Sequence, residues 1–382
     1  MMKIKSIKAH AISVPLKYVY AVATEPFTVA TQIIVEITTD DGLTGLGTIH
    51  GRAAKPVLEA VEKLSQMLIG MDAHAHEAIW AKIFALTNDG AKIYKDGDTA
   101  SMGFRTAQRQ PIMAAQAGID SALWDLKGKA CNLPVWKLLG AGTKEIHAYA
   151  SGGYYRTDKP PEIVAEEMAG YMEQGFKAVK MKTGGLPLAQ DVDRVRRVRE
   201  AIGPDTQLMI DASRSYSLMQ AVDAIHAFEP YNVFWYEEPL HWYDAIRGMA
   251  KLTQHTNTPL ACGESESHLW ACRDLVDLGL VRYLNFDCTR AGGITEWLRI
   301  ASYAHAHGVL MTTHHDPQVQ GHLTVAVPNG YCVEVFADED RDPLWNNLFT
   351  QRAQMKGSKL VLNDEPGFGY AINWDYVKKY RV

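Results

Sequence analysis

Apolar and polar positions alternate through the first 50 residues. Ile4, Ile7, Ala9 and Ala11 open one extended run, and Ile33-Ile34-Val35-Glu36-Ile37 forms a second. The turn residues Asp40-Asp41-Gly42 lead into a third, Leu43–Ile49. Runs of this kind punctuated by Asp-Gly predict an antiparallel meander. Residues 16–31 are too long for a hairpin turn and rich in small and aromatic side chains (Tyr18, Tyr20, Thr24, Phe27, Thr28). They read as a long loop, and loops of that length usually serve a site. From about 55 to 130 the period becomes helical. Ile112, Ala115, Ile119, Leu123 and Leu126 share one face of the last helix, and Gly128 lies near its end. Residues 1–143 are therefore expected to form an α+β domain.

After Gly140-Ala141-Gly142 the pattern changes to short apolar strands separated by amphipathic helices. The expected strands are Ile146–Ala150, Ala178–Lys182, Leu208–Asp211, Val233–Glu237, Leu260–Glu264, Tyr283–Asp287, Leu310–Thr313 and Tyr331–Val335. Repeated βα units imply either a closed (β/α)8 barrel or an open doubly wound sheet. No GxGxxG or phosphate-binding loop follows any strand, which favours the α/β barrel over 144–345. Residues 346–382 add no further βα unit and are expected to pack back on the first domain.

Composition narrows the class of protein. Of the 382 residues, 47% are hydrophobic and 22% charged, an ordinary globular balance. Thirty-nine basic against 44 acidic side chains give a net charge of −5, so no basic field invites nucleic acid or an anionic membrane. No apolar run reaches the ~20 residues of a membrane span. The N-terminal lysines interrupt any signal-peptide core, and cytoplasmic residence is expected. Five scattered cysteines (Cys131, Cys262, Cys272, Cys288, Cys332) contain no CxxC pair and read as reduced thiols.

Placed on the strand map, the ionisable residues fall into register. Lys180 and Lys182 end the second barrel strand, Asp211 the third, Glu237 the fourth, Glu264 the fifth, Asp287 the sixth and His314 the seventh; Glu334 sits in the eighth. From Lys182 the successive spacings are 29, 26, 27, 23, 27 and 20 residues, each close to one βα unit. The C-terminal strand ends are where barrel active sites are built. Three adjacent carboxylates, Asp211, Glu237 and Glu264, repel unless a cation joins them. Hard oxygen donors without a nearby thiolate select Mg²⁺, with Mn²⁺ as the alternative. Asp287 is placed to accept the His314 ring N–H and fix its tautomer. Lys180 should lower the Lys182 pKa toward that of a useful base, provided that side of the strand faces inward. A divalent metal on a substrate carboxylate spreads the charge of an enediolate, so the α-proton becomes removable. Glu334, in its protonated form, has a hydrogen bond to donate to that carboxylate.

These residues and the motifs around them resemble the mandelate racemase subgroup of the enolase superfamily nearly end to end. The likeness includes Gly118-Ile119-Asp120-Ser121-Ala122-Leu123-Trp124-Asp125-Leu126-Lys127-Gly128-Lys129, the KxK at 180–182 and Glu237-Glu238-Pro239. It continues through Asp287 with Arg290-Ala291-Gly292-Gly293-Ile294-Thr295-Glu296, then His314 and Glu334. The resemblance implies a capping domain whose loop near 16–31 closes over the barrel. It also implies a divalent metal on Asp211, Glu237 and Glu264, Lys182 as base, a His314–Asp287 dyad, Glu334 as electrophilic acid, and a homo-oligomer, often an octamer in this family. Ser213 and Arg214 stand where relatives often carry Asn two residues after the first metal ligand, and Ser265 replaces a common Asn. With the polar stretch 88–110, these positions are expected to decide the substrate.

Tyr20, Thr24, His50 and His315 join Ser213 and Arg214 as candidate substrate contacts. The hydroxyl-rich cap positions Tyr18, Tyr20, Thr24, Ser101 and Arg105 suit a sugar acid, and so an acid-sugar dehydratase giving a 2-keto-3-deoxy acid. A racemase or epimerase and a lactone cycloisomerase share the scaffold. Outside it stand a zinc hydrolase, for which His305-Ala-His307 sits in a helix rather than at a strand end, and a non-catalytic binding protein.

Overall fold

The computed structural model describes residues 2–87 and 108–382. The chain opens with β1 (Ile4–Ala21), β2 (Pro26–Thr39) and β3 (Thr44–His50), an antiparallel meander in the order β3-β2-β1. It continues with α1 (Ala54–Leu68), α2 (His76–Ala85), α3 (Arg109–Ala130) and the short α4 (Val135–Leu138). The long loop expected at 16–31 is instead the outer half of the β1–β2 hairpin. Only Val22 to Glu25 turn, and the register shifts between Pro15 and Tyr20. The aromatic residues that suggested a loop are strand residues packed inward: Tyr20 and Phe27 meet Tyr154. Ser101, Arg105 and most of the 88–110 stretch lie outside the described residues.

The second unit alternates strand and helix: β4 (Glu145–Gly152), β5 (Tyr155–Arg156), α5 (Val164–Glu173), β6 (Ala178–Lys182), α6 (Leu188–Ile202), β7 (Gln207–Asp211), α7 (Leu218–Phe228), β8 (Val233–Glu237) and α8 (Ala245–Leu252). Then come β9 (Leu260–Cys262), α9 (Leu269–Asp277), β10 (Tyr283–Leu284), α10 (Gly293–Ala306), β11 (Leu310–Thr312), α11 (Pro317–Thr324) and β12 (Gly330–Val335). Strands β4 and β6–β12 are parallel to their neighbours, and the pairing of β12 with β4 closes an eight-stranded barrel. Short β5 instead pairs with β1 of the meander.

Side-chain alternation sets what faces inward. Val179 and Met181 pack outward with the helices. Ala178, Met209, Trp235, Ala261, Tyr283, Cys332 and Tyr149 form one internal layer. One step further along the strands comes a polar layer, in which Lys180, Glu237 and Glu334 are at most 1% exposed. A filled interior of stacked layers leaves chemistry to the strand ends above it.

The Gly118–Lys129 segment lies in α3 and forms the joint of the molecule. Asp120 accepts the Thr295 amide and hydroxyl at the start of α10, both at 2.8 Å. Asp125 accepts the amides of Leu46 in β3 and Phe368 near the C-terminus, both at 2.9 Å. At Gly47 a Cβ would lie 2.1 Å from the Gly118 carbonyl oxygen, so β3 approaches α3 this closely only without a side chain.

The C-terminal stretch adds α12 (Pro343–Asn347), β13 (Phe349–Gln351), β14 (Gln354–Lys356), β15 (Lys359–Val361), β16 (Ala371–Ile372) and α13 (Trp374–Tyr380). It divides its contacts. Strand β15 pairs with β4 of the barrel, while the Trp374 ring packs against His10 of β1. The five cysteines are free thiols. No helix among the described residues is long and apolar enough to cross a membrane.

Candidate active site

The strand ends bring a chain of charges together at the mouth of the barrel. Asp211 and Glu237 are register partners on β7 and β8, and Lys182 pairs with Asp211 across β6 and β7. Lys180 Nζ bridges Glu237 Oε1 at 2.6 Å and Glu334 Oε1 at 2.9 Å. Trp235 Nε1, from the layer below, donates to Glu237 Oε2 at 2.9 Å. Lys182 Nζ contacts Asp211 Oδ2 and stands 5.2 Å from the Tyr154 ring. Glu264, just past β9, lies 3.5 Å from both Arg290 Nη1 and His314 Nε2.

Across the mouth, His314 Nδ1 and Asp287 Oδ2 are 2.8 Å apart. The other Asp287 oxygen accepts the Thr289 amide at 2.8 Å and hydroxyl at 2.7 Å. Burial pushes the Asp287 carboxyl up, but its hydrogen bond and charge contact with His314, with His50 and Arg290, leave it below the ordinary carboxylate range. An ionised Asp287 holds the proton on Nδ1 and leaves Nε2 for chemistry. Gln320 fixes the loop by donating to the carbonyls of His314 and His315.

Burial and neighbouring charge decide the protonation states. Glu237 is pushed up to about 8 by burial together with Asp211, Glu264 and Glu334, against the pull of Lys180. Such crowding of carboxylates is relieved by a cation, and an all-oxygen set of three acids fits a hard divalent ion. The three acids do not themselves close up: Asp211 contacts Lys182, Glu237 contacts Lys180, and Glu264 lies near Arg290 and His314. Among the described residues, the only set of three or more metal-type side chains whose ligand atoms all lie within 4.8 Å of one another is His314, His315 and Glu334. Two of these are committed elsewhere: His314 to Asp287, and Glu334 to Lys180 and the His315 amide at 2.8 Å.

Two expectations about charge are corrected. Burial does pull Lys182 down and Lys180 adds to that pull, yet Asp211, Tyr154 and Glu264 together hold Lys182 above the ordinary lysine range. Glu334 is not a proton donor here. Burial alone would raise it, but Lys180, His314, Lys182 and the His315 amide hold it ionised, so Lys180 is the donor of that pair.

The candidate substrate contacts separate into two groups. His50 and His315 line a cavity of about 400 Å³ together with His314. Their rings stack at 3.8 Å, and His315 lies 4.3 Å from His314. Burial pushes His50 down to about 3 and His315 well below the ordinary range, so both rings are neutral. The other four point elsewhere. The Ser213 amide and hydroxyl turn onto Asp211 Oδ1, at 2.7 and 3.3 Å. Arg214 pairs with Glu238 under Trp242. Tyr20 is buried and donates to Asp338 at 3.2 Å. Thr24 is exposed in the hairpin turn. Ser213, Arg214, Glu238, His315 and Asp316 all have positive φ, which concentrates non-glycine backbone strain at this mouth.

Sequence reasoning missed Tyr154, Phe336 and Arg341. With Tyr20 and Phe27 from the hairpin, Tyr154 and Phe336 make an aromatic cluster over the site. Their signal was available: Tyr154 follows the first barrel strand and Phe336 the eighth, the same rim that marked the charged residues. Asp316 accepts Thr48 Oγ1 at 2.8 Å and Gln32 Nε2 at 3.0 Å, tying the rim to the meander.

Comparison with known proteins follows the same two-part layout. The family model for the mandelate racemase/muconate lactonizing enzyme N-terminal domain matches residues 6–140, and the enolase C-terminal domain-like model matches 163–376. An L-talarate/galactarate dehydratase of Salmonella typhimurium is 30% identical over 91% of this chain and 82% of its own. A D-galactarolactone cycloisomerase of Agrobacterium fabrum is 30% identical, covering 100% and 99%. A mandelate racemase/muconate lactonizing enzyme from a marine actinobacterium, solved in complex with magnesium, superposes with a TM-score of 0.85 at 34% identity, all of both chains being covered.

Proposed function

The chain belongs to the mandelate racemase/muconate lactonizing enzyme family of the enolase superfamily, and from that membership we propose that it is a Mg²⁺-dependent acid-sugar dehydratase. The substrate is a polyhydroxy carboxylate, and the product, after tautomerisation, is a 2-keto-3-deoxy acid. The observation that carries this reading is the pairing of Asp287 with His314 at 2.8 Å across the mouth from Lys182. Strands β6 and β11 are separated by two strands one way and four the other, so the two side chains address a bound substrate from different sides.

A divalent cation held by Asp211, Glu237 and Glu264 would supply Lewis-acid stabilisation of charge developing on the substrate carboxylate, and would take up the Asp211 charge that otherwise keeps Lys182 protonated. Lys182 in its neutral form removes the proton α to that carboxylate. His314, carrying a proton on Nε2, gives it to the β-hydroxyl, which departs as water as the Cα–Cβ double bond forms. Lys180 holds Glu237 and Glu334 apart and in place. The neutral His50 and His315 rings each offer one donor and one acceptor, which suits sugar hydroxyls. The magnesium-bound relative and the talarate/galactarate dehydratase support the metal and the reaction.

The full-length match to a lactone cycloisomerase favours a second reading, in which the same acid–base pair opens or rearranges a lactone. The His314→Asn variant separates roles within the proposed reaction. It is expected to lose dehydration by about 10²–10⁴-fold, while Lys182 still exchanges the α-proton for deuterium in D₂O. Undiminished dehydration by this variant would remove His314 from the mechanism.

A further inference from the structure

Among the described residues the Arg341 guanidinium is only partly compensated: burial raises the Asp342 carboxyl and the Arg341 charge pulls it back down, without forming an ion pair. Among the described residues no carboxylate lies within ion-pair distance of it. Its Nη2 donates to the Tyr154 hydroxyl at 3.0 Å, and its Nε is closed to solvent with no acceptor. The nearest acids are spent elsewhere. Asp342 caps α12 through the amides of Leu344 and Trp345, at 3.1 and 3.4 Å, and Asp338 accepts from Tyr20 and from the Asp340 amide. Three rings surround the guanidinium: Tyr154 at 4.4 Å, Phe27 at 4.6 Å and Phe336 at 4.8 Å. An aromatic cage orients a cation but supplies no counter-charge, so this half-buried guanidinium has donors to spare for an anion.

Its location says what completes it. Arg341 lines the same cavity as His50, His314 and His315. Lys182 and Arg341 both stand against the Tyr154 ring, at 5.2 and 4.4 Å, so they are no more than about 10 Å apart. That is the reach of a short sugar chain lying between the reacting carboxylate and its far end. Arg52 adds a second guanidinium to the cavity wall, with its Nη2 unpartnered.

We propose that Arg341 binds a second anionic group at the far end of the substrate, so that the enzyme acts on sugar diacids, or on sugar acids phosphorylated at that end, in preference to simple monoacids. This rests on the sugar-acid reading above and specifies its substrate class. A guanidinium presents a planar fork that matches carboxylate and phosphate oxygens equally, so the cage selects charge and the ligand decides which.

The test compares the Mg²⁺-loaded enzyme on three probes of matched stereochemistry: an aldarate, the corresponding aldonate, and the aldonate phosphorylated at its terminal carbon. Wild type should favour one of the two doubly anionic probes in kcat/KM, and which one identifies the group. Arg341→Gln should reduce that preference by roughly 10- to 100-fold, mainly through KM, with Arg341→Lys intermediate. Equal turnover of aldonate and the doubly anionic probes by wild type, or an unaltered preference in Arg341→Gln, would overturn the proposal. Calorimetric binding of the same probes is the second arm. If nothing turns over but aldarate or phosphorylated aldonate binds through Arg341, the reaction assignment falls and the subsite stands. If neither binds more tightly to wild type than to Arg341→Gln, the subsite falls.

Discussion

At the scale of the residue, the barrel mouth is built from charges that are buried and shared. Lys180 was legible from its spacing, one alternation step before Lys182, and the strand does turn both inward. Its role was not legible, because a bridge between Glu237 and Glu334 depends on two strands far away in sequence. Replacing one member of a buried ionic cluster leaves the others uncompensated. Lys180→Met is therefore expected to cost about 3–5 kcal/mol of stability, read from denaturant unfolding. A loss below about 1 kcal/mol would mean the bridge is not formed in solution. Tyr20 and Arg214 show the opposite limit. Their chemistry suited a substrate, but a tyrosine hydroxyl or guanidinium near a site is as easily used by a neighbouring carboxylate, and sequence does not reveal which.

At the scale of the element, periodicity located all eight barrel strands, since a short buried run must be bounded by helices to fit βα units. It failed at residues 16–31, where aromatic and small residues disguised a strand as a loop. Those aromatics pack on Tyr154 and Phe336, which are more than a hundred residues away, so no local pattern marks them. The Gly118–Lys129 segment carried the family resemblance, yet its work is mechanical: Asp120 holds α10, Asp125 holds β3 and the C-terminal stretch, and Gly118 leaves room for Val35 and Ile49. Gly47→Ala would drive a methyl into the α3 backbone. The expected cost is about 1–3 kcal/mol, with a lower denaturation midpoint and an unchanged denaturant slope. Wild-type stability in this variant would show that β3 and α3 are further apart than described.

At the scale of the molecule, cap, barrel and C-terminal stretch share polar contacts that also make the protein sensitive to acid. Buried His322 accepts the Trp136 amide at 3.1 Å, and burial pushes it down to about 3. Unfolded, it would take up a proton near pH 6.5. The folded pKa is the lower one, so the stability it contributes is complete above about pH 6.5 and is lost progressively as pH falls from there toward 3. Compared with a His322→Asn variant, wild type should therefore hold its largest melting-temperature advantage at pH 7.5 and lose much of it by pH 4.5. A constant difference would mean that His322 titrates normally. The central claim, loss of water from a sugar acid, is tested most directly by proton NMR in D₂O. The enzyme is incubated with Mg²⁺ and a panel of sugar mono- and diacids. Loss of the α-proton signal together with new 2-keto-3-deoxy resonances, abolished by a chelator, is the predicted result. Deuterium exchange or lactone conversion without loss of water would contradict it.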